Sequence, residues 1–155
     1  MTPEHYGATI NVQHARTHFT VQKALPLMAH AGTIILTSSI AGVKGLQAHD
    51  TYSAAKAAIR SLARTWTVEL KDRGIRANAI SPGAIDTPII FSQVSIAVQA
   101  DELRARFAVA TLLGRIGRPE EIASAVLFLA SEGQQLRRGH RSVCGRRPCT
   151  GLNDL

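Results

Sequence analysis

Three side chains near the centre of the chain, Ser39, Tyr52 and Lys56, have types and spacings suited to proton transfer. Because Tyr52 and Lys56 are spaced i, i+4, a helix would project the phenol and the ammonium from the same face. A cation held beside a phenol favours the phenolate, which lets the group exchange a proton near neutral pH. A hydroxyl from Ser39 would then bind the same substrate oxygen. The three residues together predict acid–base chemistry on a substrate.

These residues belong to a predicted strand, loop and helix. Residues 33–37, TIILT, form a short β-branched run typical of a buried parallel strand, and Ser39 follows its carboxyl end. An alanine-rich helix is predicted next, with Asp50 or Thr51 as its N-cap and Gly74 just past its end. Ligands of open α/β sheets gather at the carboxyl ends of strands, so we expect the chemistry at that edge.

A simpler interpretation competes for the helical pair, because a Tyr and a Lys so spaced are usually a packed ring and a solvated charge. A second motif favours the chemical interpretation: residues 81–88 read SPGAIDTP. Together with Ser39 and the Tyr52-x-x-x-Lys56 spacing, this segment resembles the short-chain dehydrogenase/reductase family. The resemblance extends over about residues 2–132.

The resemblance implies a role for each of these residues. Tyr52 would be the catalytic acid and base, Ser39 would orient the substrate carbonyl or alcohol, and Lys56 would bind the nicotinamide ribose. The implied cofactor is NAD or NADP, and the implied substrate is a small carbonyl compound or alcohol. The positions implied to contact the cofactor are Tyr52, Lys56, Pro82, Gly83, Ile85 and Thr87. Among them, the Ile85 backbone and the Thr87 hydroxyl are expected at the carboxamide.

The implied fold class is α/β, as part of a doubly wound, Rossmann-like parallel sheet. A first helix is predicted over residues 3–29, with Pro26 kinking or shortening it. In the family this helix follows the fourth strand, so the sequence is expected to lack the N-terminal strands. The glycine-rich turn that holds a pyrophosphate is expected to be absent with them. The string most similar to it, Gly42-x-x-Gly45, lies in the loop between Ser39 and Tyr52. The choice between NAD and NADP is therefore unreadable.

Three further elements follow the catalytic helix. Residues 75–80 predict a second parallel strand that leads into the Pro82–Gly83 turn. Residues 89–113 resemble the family's lid over the substrate, with an amphipathic surface helix as an equally weighted alternative. Pro119 opens a last helix that is predicted to end at Ala130 and to be structural.

One position in the first helix departs from the family pattern. The family places an Asn of a proton relay where this chain has Gln13. Asn11 lies about 200° around a helix from that position, so we do not expect it to substitute. A one-base insertion with a nearby compensating deletion, on assumed codons, would explain the segment.

The resemblance ends at Glu132, and residues 133–155 are predicted to be a basic tail outside the family domain of residues 1–132. On assumed codons, reading the tail one base later yields a family-like terminus, so we interpret it as frameshifted. The family's last strand is expected to be missing with it. Cys144 and Cys149 are interpreted as incidental, because a single close pair is weak support for a metal site or a disulfide. No metal is predicted.

Composition bounds the remaining classes. A length of 155 residues, 45% apolar residues and a mean hydropathy of +0.03 are typical of one globular domain. No apolar run approaches the roughly 20 residues of a membrane span, and no signal segment is evident. We therefore predict a cytoplasmic location and no association with a membrane.

The formal net charge of +7 is unevenly distributed and does not by itself predict nucleic-acid binding. Residues 1–133 carry 13 basic and 10 acidic residues, or +3, and residues 134–155 carry five and one, or +4. Out-of-frame translation would explain the arginines of the tail, so no nucleic-acid partner is predicted. The less favoured alternative is that the tail binds RNA in a salt-sensitive manner.

The leading functional prediction is thus an NAD(P)-dependent oxidoreductase of the short-chain type. The resemblance implies a homodimer or homotetramer formed through the helices at residues 3–29 and 51–73. The alternative is a catalytically inactive fragment that keeps only this oligomerisation interface. With few strands the sheet would be marginal, and its exposed edges would favour aggregation.

Overall fold

The computed structural model describes residues 2–92, 97–131 and 141–144. Three strands form one parallel sheet in the order β1-β2-β3. They are β1 (Thr33–Thr37), β2 (Arg76–Pro82) and β3 (Arg141–Cys144). Thr33 lies opposite Arg76 at the start of the first pair, and Thr37 lies opposite Ile80 at its end. The carboxyl ends of β1 and β2 therefore lie side by side.

Six α-helices accompany the sheet within the described ranges: α1 (Pro3–Ile10), α2 (Arg16–Ala24), α3 (Asp50–Glu69), α4 (Ile89–Ser92), α5 (Ala97–Val109) and α6 (Pro119–Ala130). None of the helices described is both long and apolar enough to cross a membrane. The α/β class and the parallel sheet predicted from the sequence are confirmed.

The predicted first helix is interrupted once. A π-helical turn over Asn11–Ala15 joins α1 to α2, and a 3₁₀ turn over Leu25–Leu27 ends the segment at Pro26, as predicted. The Thr2 hydroxyl accepts a hydrogen bond from the His5 amide at 3.3 Å and caps the start. No pattern in the sequence predicts the π turn.

Helix α3 follows its prediction closely. The N-cap position belongs to His49, so the predicted caps lie one and two residues inside α3. The Asp50 carboxylate nevertheless accepts the Thr51 amide at 2.6 Å, which satisfies one of the first-turn donors. A 3₁₀ turn over Lys71–Arg73 continues the helix, and Gly74 ends it at a φ of 66°, in the left-handed region that glycine adopts readily.

The core lies between α3 and the sheet. Ile59, Ala63 and Trp66 recur at helical spacing on one face of α3, and each is buried. They pack with buried side chains of both strands, namely Ile34, Leu36, Ala77 and Ala79, and with Ile75. The core stripe thereby fixes the rotation of α3 about its own axis relative to β1 and β2.

The opposite face of the sheet meets α6. Successive strand residues point to opposite faces, and Arg76 points away from the face that carries Ala77 and Ala79. Its guanidinium is buried and donates to Leu129 O at 2.9 Å. It also donates to Ala130 O and Ser131 O, both at 3.2 Å. Helices therefore cover both faces, which is the doubly wound arrangement predicted.

One part of the fold prediction needs correction. The last strand was expected to be missing from residues 133–155, yet residues 141–144 form β3, with Ala79 opposite Arg141 and Pro82 opposite Cys144. Strand pairing uses backbone groups of each residue, so the open edge of β2 accepts a strand whatever the origin of its side chains. The frameshift origin of the tail stays a prediction.

The Arg76 contacts yield a first prediction. Replacing Arg76 with Met removes the donor that satisfies the terminal carbonyls of α6 and leaves at least one of them buried. We expect the free energy of unfolding to fall by about 1–3 kcal/mol. The measurement is denaturant unfolding of Arg76→Met beside Arg64→Met, a control at an exposed arginine of α3. Equal stability of the two variants would contradict the capping role.

A second prediction concerns the loop after β1, which presses onto α3. A Cβ on Gly42 would lie 2.9 Å from the carbonyl carbon of Lys56 and 3.0 Å from the Ala57 amide nitrogen, which are backbone atoms that cannot move aside freely. We therefore expect Gly42→Ala to destabilise the fold by about 1–3 kcal/mol. Gly45→Ala is the matched control, because a Cβ there meets nothing within 4 Å. Thermal unfolding of both variants would show whether only Gly42 is constrained.

Candidate active site

The carboxyl end of β1 is locked to α3 by a serine next to the predicted one. Ser38 continues the sheet, since its amide donates to Ile80 O at 2.8 Å. Its buried hydroxyl donates to Lys56 O at 2.7 Å. Ser39 comes next, and its side-chain oxygen accepts the Ala41 amide at 3.2 Å, at the start of a 3₁₀ turn. Ser38 therefore fixes the end of β1 relative to α3, and Ser39 lies just past the carboxyl end of β1.

Tyr52 and Lys56 project from the same face of α3, as the sequence predicts. The Lys56 Nζ lies 5.6 Å from the centroid of the Tyr52 ring and donates to Thr37 O at 3.1 Å. Lys56 is only 9% exposed, and Tyr52 is half-buried. The ring of His49 approaches Tyr52 edge-on, with the centroids 6.3 Å apart. The ammonium is thus held between the phenol ring and the end of β1.

The Lys56 ammonium is paired with a carbonyl rather than with a carboxylate. Burial lowers the pKa of Lys56 from its ordinary value, because an ammonium loses hydration when it is removed from water. Among the described residues, no Asp or Glu lies within ion-pair distance of its Nζ. The neighbours of the Lys56 ammonium are thus the Thr37 carbonyl and the Tyr52 ring.

The segment after β2 forms a turn that is held by a distant loop. Ile85 and Gly117 form an isolated parallel bridge. The Gly117 amide donates to Ala84 O at 2.9 Å, and the Asp86 amide donates to Gly117 O at 2.8 Å. In such a bridge the backbone groups of the central residue point the other way. The amide and carbonyl of Ile85 therefore face away from Gly117, and neither has a hydrogen-bond partner within the described part of the chain.

An ion pair links the same turn to α5. Arg104 Nε lies 2.9 Å from Asp86 Oδ1, and Arg104 Nη1 lies 2.8 Å from Asp101 Oδ1. The Asp86 carboxylate is the main cause that raises the pKa of Arg104. Residues 97–109 of the predicted lid are thereby tied to the turn through one guanidinium. Asp86 was part of the recognised motif, but its spacing to Arg104 carries no signal from which the pair could be predicted.

The structure brings the predicted site residues to one edge of the sheet. Ser39, Tyr52 and Lys56 gather at the carboxyl end of β1. Of the predicted cofactor contacts, Pro82 is the last residue of the neighbouring β2, and Gly83, Ile85 and Thr87 follow it. Thr87 is half-buried, and its carbonyl accepts the Ile90 amide at 3.0 Å where α4 begins.

Gln13, the position where the family pattern has Asn, lies inside the π turn. Its carbonyl accepts the Thr17 hydroxyl at 2.9 Å, and the turn packs against α3. Within the described ranges, no cluster of three His, Cys, Asp or Glu residues could hold a metal ion.

Comparisons with known proteins identify the family of the chain. The family model described as enoyl-(acyl carrier protein) reductase matches residues 1–144. That match runs past the boundary predicted at residue 132 and takes in β3. Among curated relatives, oxidoreductase asL5 of Sarocladium schorii is 46% identical over 117 residues, which are 74% of this chain and 45% of that protein.

A bacterial relative and a solved structure extend the comparison. The 3-oxoacyl-[acyl-carrier-protein] reductase FabG of Thermotoga maritima is 36% identical over 135 residues, or 85% of this chain and 52% of that protein. The crystal structure of the angucycline C-6 ketoreductase LanV with bound NADP matches with a TM-score of 0.83 and 29% identity, over 92% of this chain and 53% of that chain.

The chain spans about half the length of the curated relatives that it matches. The family match nevertheless covers nearly all of its residues, and they include the strand ends, the α3 pair and the turn after β2. The chain therefore belongs to the short-chain dehydrogenase/reductase family.

Proposed function

We propose that this chain supplies the catalytic and nicotinamide-facing residues of an NAD(P)-dependent oxidoreductase. The reaction would move hydride between nicotinamide C4 and a carbonyl compound or secondary alcohol. One observation carries the proposal: the Lys56 ammonium, buried without a carboxylate partner among the described residues, lies 5.6 Å from the Tyr52 ring centroid, at the strand end that presents Ser39. A cation and a phenol on one helix face, beside a serine hydroxyl at a strand end, are the groups that proton exchange with a bound substrate oxygen would use.

The residues present fit a nicotinamide. A carboxamide has both a donor and an acceptor, and the Ile85 backbone offers the complementary pair of groups, turned away from Gly117. Lys56 and Tyr52 would hold the ribose. Pro82, at the end of β2, and Gly83 and Thr87, just after it, would line the same side of the site. A nicotinamide held there would supply or accept the hydride.

The remaining steps belong to this chain's own side chains. In the reductive direction the Ser39 hydroxyl would donate a hydrogen bond to the substrate oxygen and hold it. The Tyr52 hydroxyl would donate its proton to that oxygen as negative charge develops on it. Lys56 would stabilise the phenolate that remains, and the same phenolate would accept the proton in the oxidative direction.

The names of two relatives and the ligand of one related structure support this class of reaction. Both relatives are named as an oxidoreductase or a reductase, and the LanV structure contains NADP. We propose small carbonyl or alcohol substrates and a cytoplasmic location. NAD and NADP are both retained, and titration with each distinguishes them. The inactive-fragment alternative predicts no turnover with either cofactor.

The proposal predicts that Tyr52→Phe removes turnover while the fold is kept. The ring and its packing remain, and only the proton donor is lost, so we expect NAD(P)H oxidation with a ketone to slow by at least about a hundredfold. Tyr6→Phe is the matched control, because Tyr6 is the other tyrosine of the chain and lies 51% exposed on α1.

Three outcomes separate the hypotheses. An equal loss in both tyrosine variants, or none in Tyr52→Phe, would contradict the role of Tyr52. A wild type with no turnover would favour the inactive fragment. Circular dichroism of each variant checks that the helices persist.

We also propose homo-oligomerisation through the helices at residues 3–29 and 51–73. Large apolar side chains on these helices are exposed in the single chain: Tyr6 51%, Val12 49%, Phe19 56% and Val68 67%. Exposed apolar side chains of this size are typical of a surface that a second copy covers.

The interface predicts that Phe19→Glu dissociates the oligomer, because a carboxylate would be buried against apolar side chains. Light scattering after size exclusion measures the mass. Leu113→Glu is the control, since Leu113 is 77% exposed and lies outside both helices. A monomeric wild type, or dissociation by the control alone, would contradict this interface.

A further inference from the structure

The loop between α5 and α6 holds the turn that presents Ile85. This loop contains Gly117, which exchanges two backbone hydrogen bonds with Ala84 and Asp86, at 2.9 and 2.8 Å. Gly117 also approaches Ile85 so closely that an added Cβ would lie 2.6 Å from Ile85 Cδ1. The position of Ile85 thus depends on where the backbone of Gly117 is held.

The ion pair between Arg115 and Glu121 also binds the backbone on both sides of Gly117. Arg115 Nη1 lies 2.8 Å from Glu121 Oε2, and Arg115 Nη2 lies 2.6 Å from Glu121 Oε1. The same Nη1 donates to Ile116 O at 3.1 Å, and Glu121 Oε2 accepts the Arg118 amide at 2.7 Å. The residues immediately before and after Gly117 are therefore both fastened to one guanidinium–carboxylate unit.

We propose that Arg115 and Glu121 are positioning residues for the nicotinamide-facing turn. They hold Gly117, Gly117 holds the Ile85 bridge, and the bridge keeps the Ile85 amide and carbonyl turned toward the cofactor. Neither residue touches the substrate or the reacting atoms. The cofactor part of this inference rests on the proposed function, whereas the mechanical part rests on the hydrogen bonds of the loop alone.

Magnitudes separate positioning from a contribution to stability. The Arg115 and Glu121 side chains are 49% and 38% exposed, and exposed pairs of this kind contribute little to the free energy of folding. The Arg115 hydrogen bonds, followed by the Arg118 amide, lower the pKa of Glu121 to about 2. The carboxylate therefore stays ionised throughout the neutral range, and the pair persists wherever the enzyme would work.

Glu121 also closes the capping box at the start of α6, and Arg115→Met distinguishes the two roles. This variant removes the guanidinium but leaves the bond between Glu121 and the Arg118 amide in place. Glu121→Gln removes the charge from the same pair. Glu120→Gln is the matched control, because it deletes a carboxylate from the same helical turn, and the Glu120 side chain is exposed and makes none of these contacts.

Two measurements on the full chain test the inference. Hydrogen exchange of the Asp86 and Gly117 amides reports whether the bridge is held, and we expect about tenfold faster exchange in Arg115→Met and Glu121→Gln. Fluorescence titration with NADPH reports the dissociation constant, which should rise about tenfold in the same two variants. Thermal unfolding should stay within about 2 °C of the wild type in Arg115→Met. Glu120→Gln should change none of these values.

Each alternative outcome has a distinct meaning. Unchanged exchange at Asp86 in Arg115→Met overturns the inference. Faster exchange throughout the chain, together with a lower melting temperature, also overturns it, because the pair would then serve general stability. Localised exchange with an unchanged NADPH dissociation constant overturns the cofactor part. A wild type that binds no NADPH overturns the proposed function, and a localised change in exchange would still support the mechanical part.

Discussion

The packing of one face of α3 onto β1 and β2 is the constraint on which the site depends. Ile59, Ala63 and Trp66 form the buried stripe, and Lys56 and Tyr52 extend the same stripe toward the start of the helix. A helix turns about 100° per residue, so the buried core residues also fix the direction in which Tyr52 and Lys56 project. The hydrophobic core therefore aims the ammonium and the phenol at the carboxyl end of β1.

The same packing must offset the burial of a charge. The Lys56 ammonium is 9% exposed, and its pKa is lowered by that burial, so the folded state disfavours the charged form. Three contacts to its surroundings hold it in place: its own bond to Thr37 O, the Ser38 hydroxyl on its carbonyl, and Gly42 pressed onto its backbone. Such local costs at a site are tolerated when the surrounding structure fixes the residue strongly.

Much of the fold could be predicted from patterns in adjacent residues. Contacts between residues far apart in the chain could not. β1, the end of α3 at Gly74 and the first turn of α6 each follow from short patterns in adjacent residues. The bridge between Ile85 and Gly117 joins residues far apart in the chain, and no periodicity or shared motif links them. The roles of Ser39, Tyr52 and the turn came from resemblance to a family, since an isolated helical pair is ordinarily structural.

The α6 helix explains how a half-exposed ion pair can control the turn. Its twelve residues span about 18 Å, which is comparable to the roughly 23 Å of the seven residues of β2. Arg76 ties its carboxyl end to the start of β2, and Glu121 ties its amino end to the Gly117 loop. The contacts close a ring: β2, the turn, Gly117, α6 and Arg76 back to β2. In a closed ring each link limits the position of the others, so loss of the weakest link lets the turn move while the core stays intact.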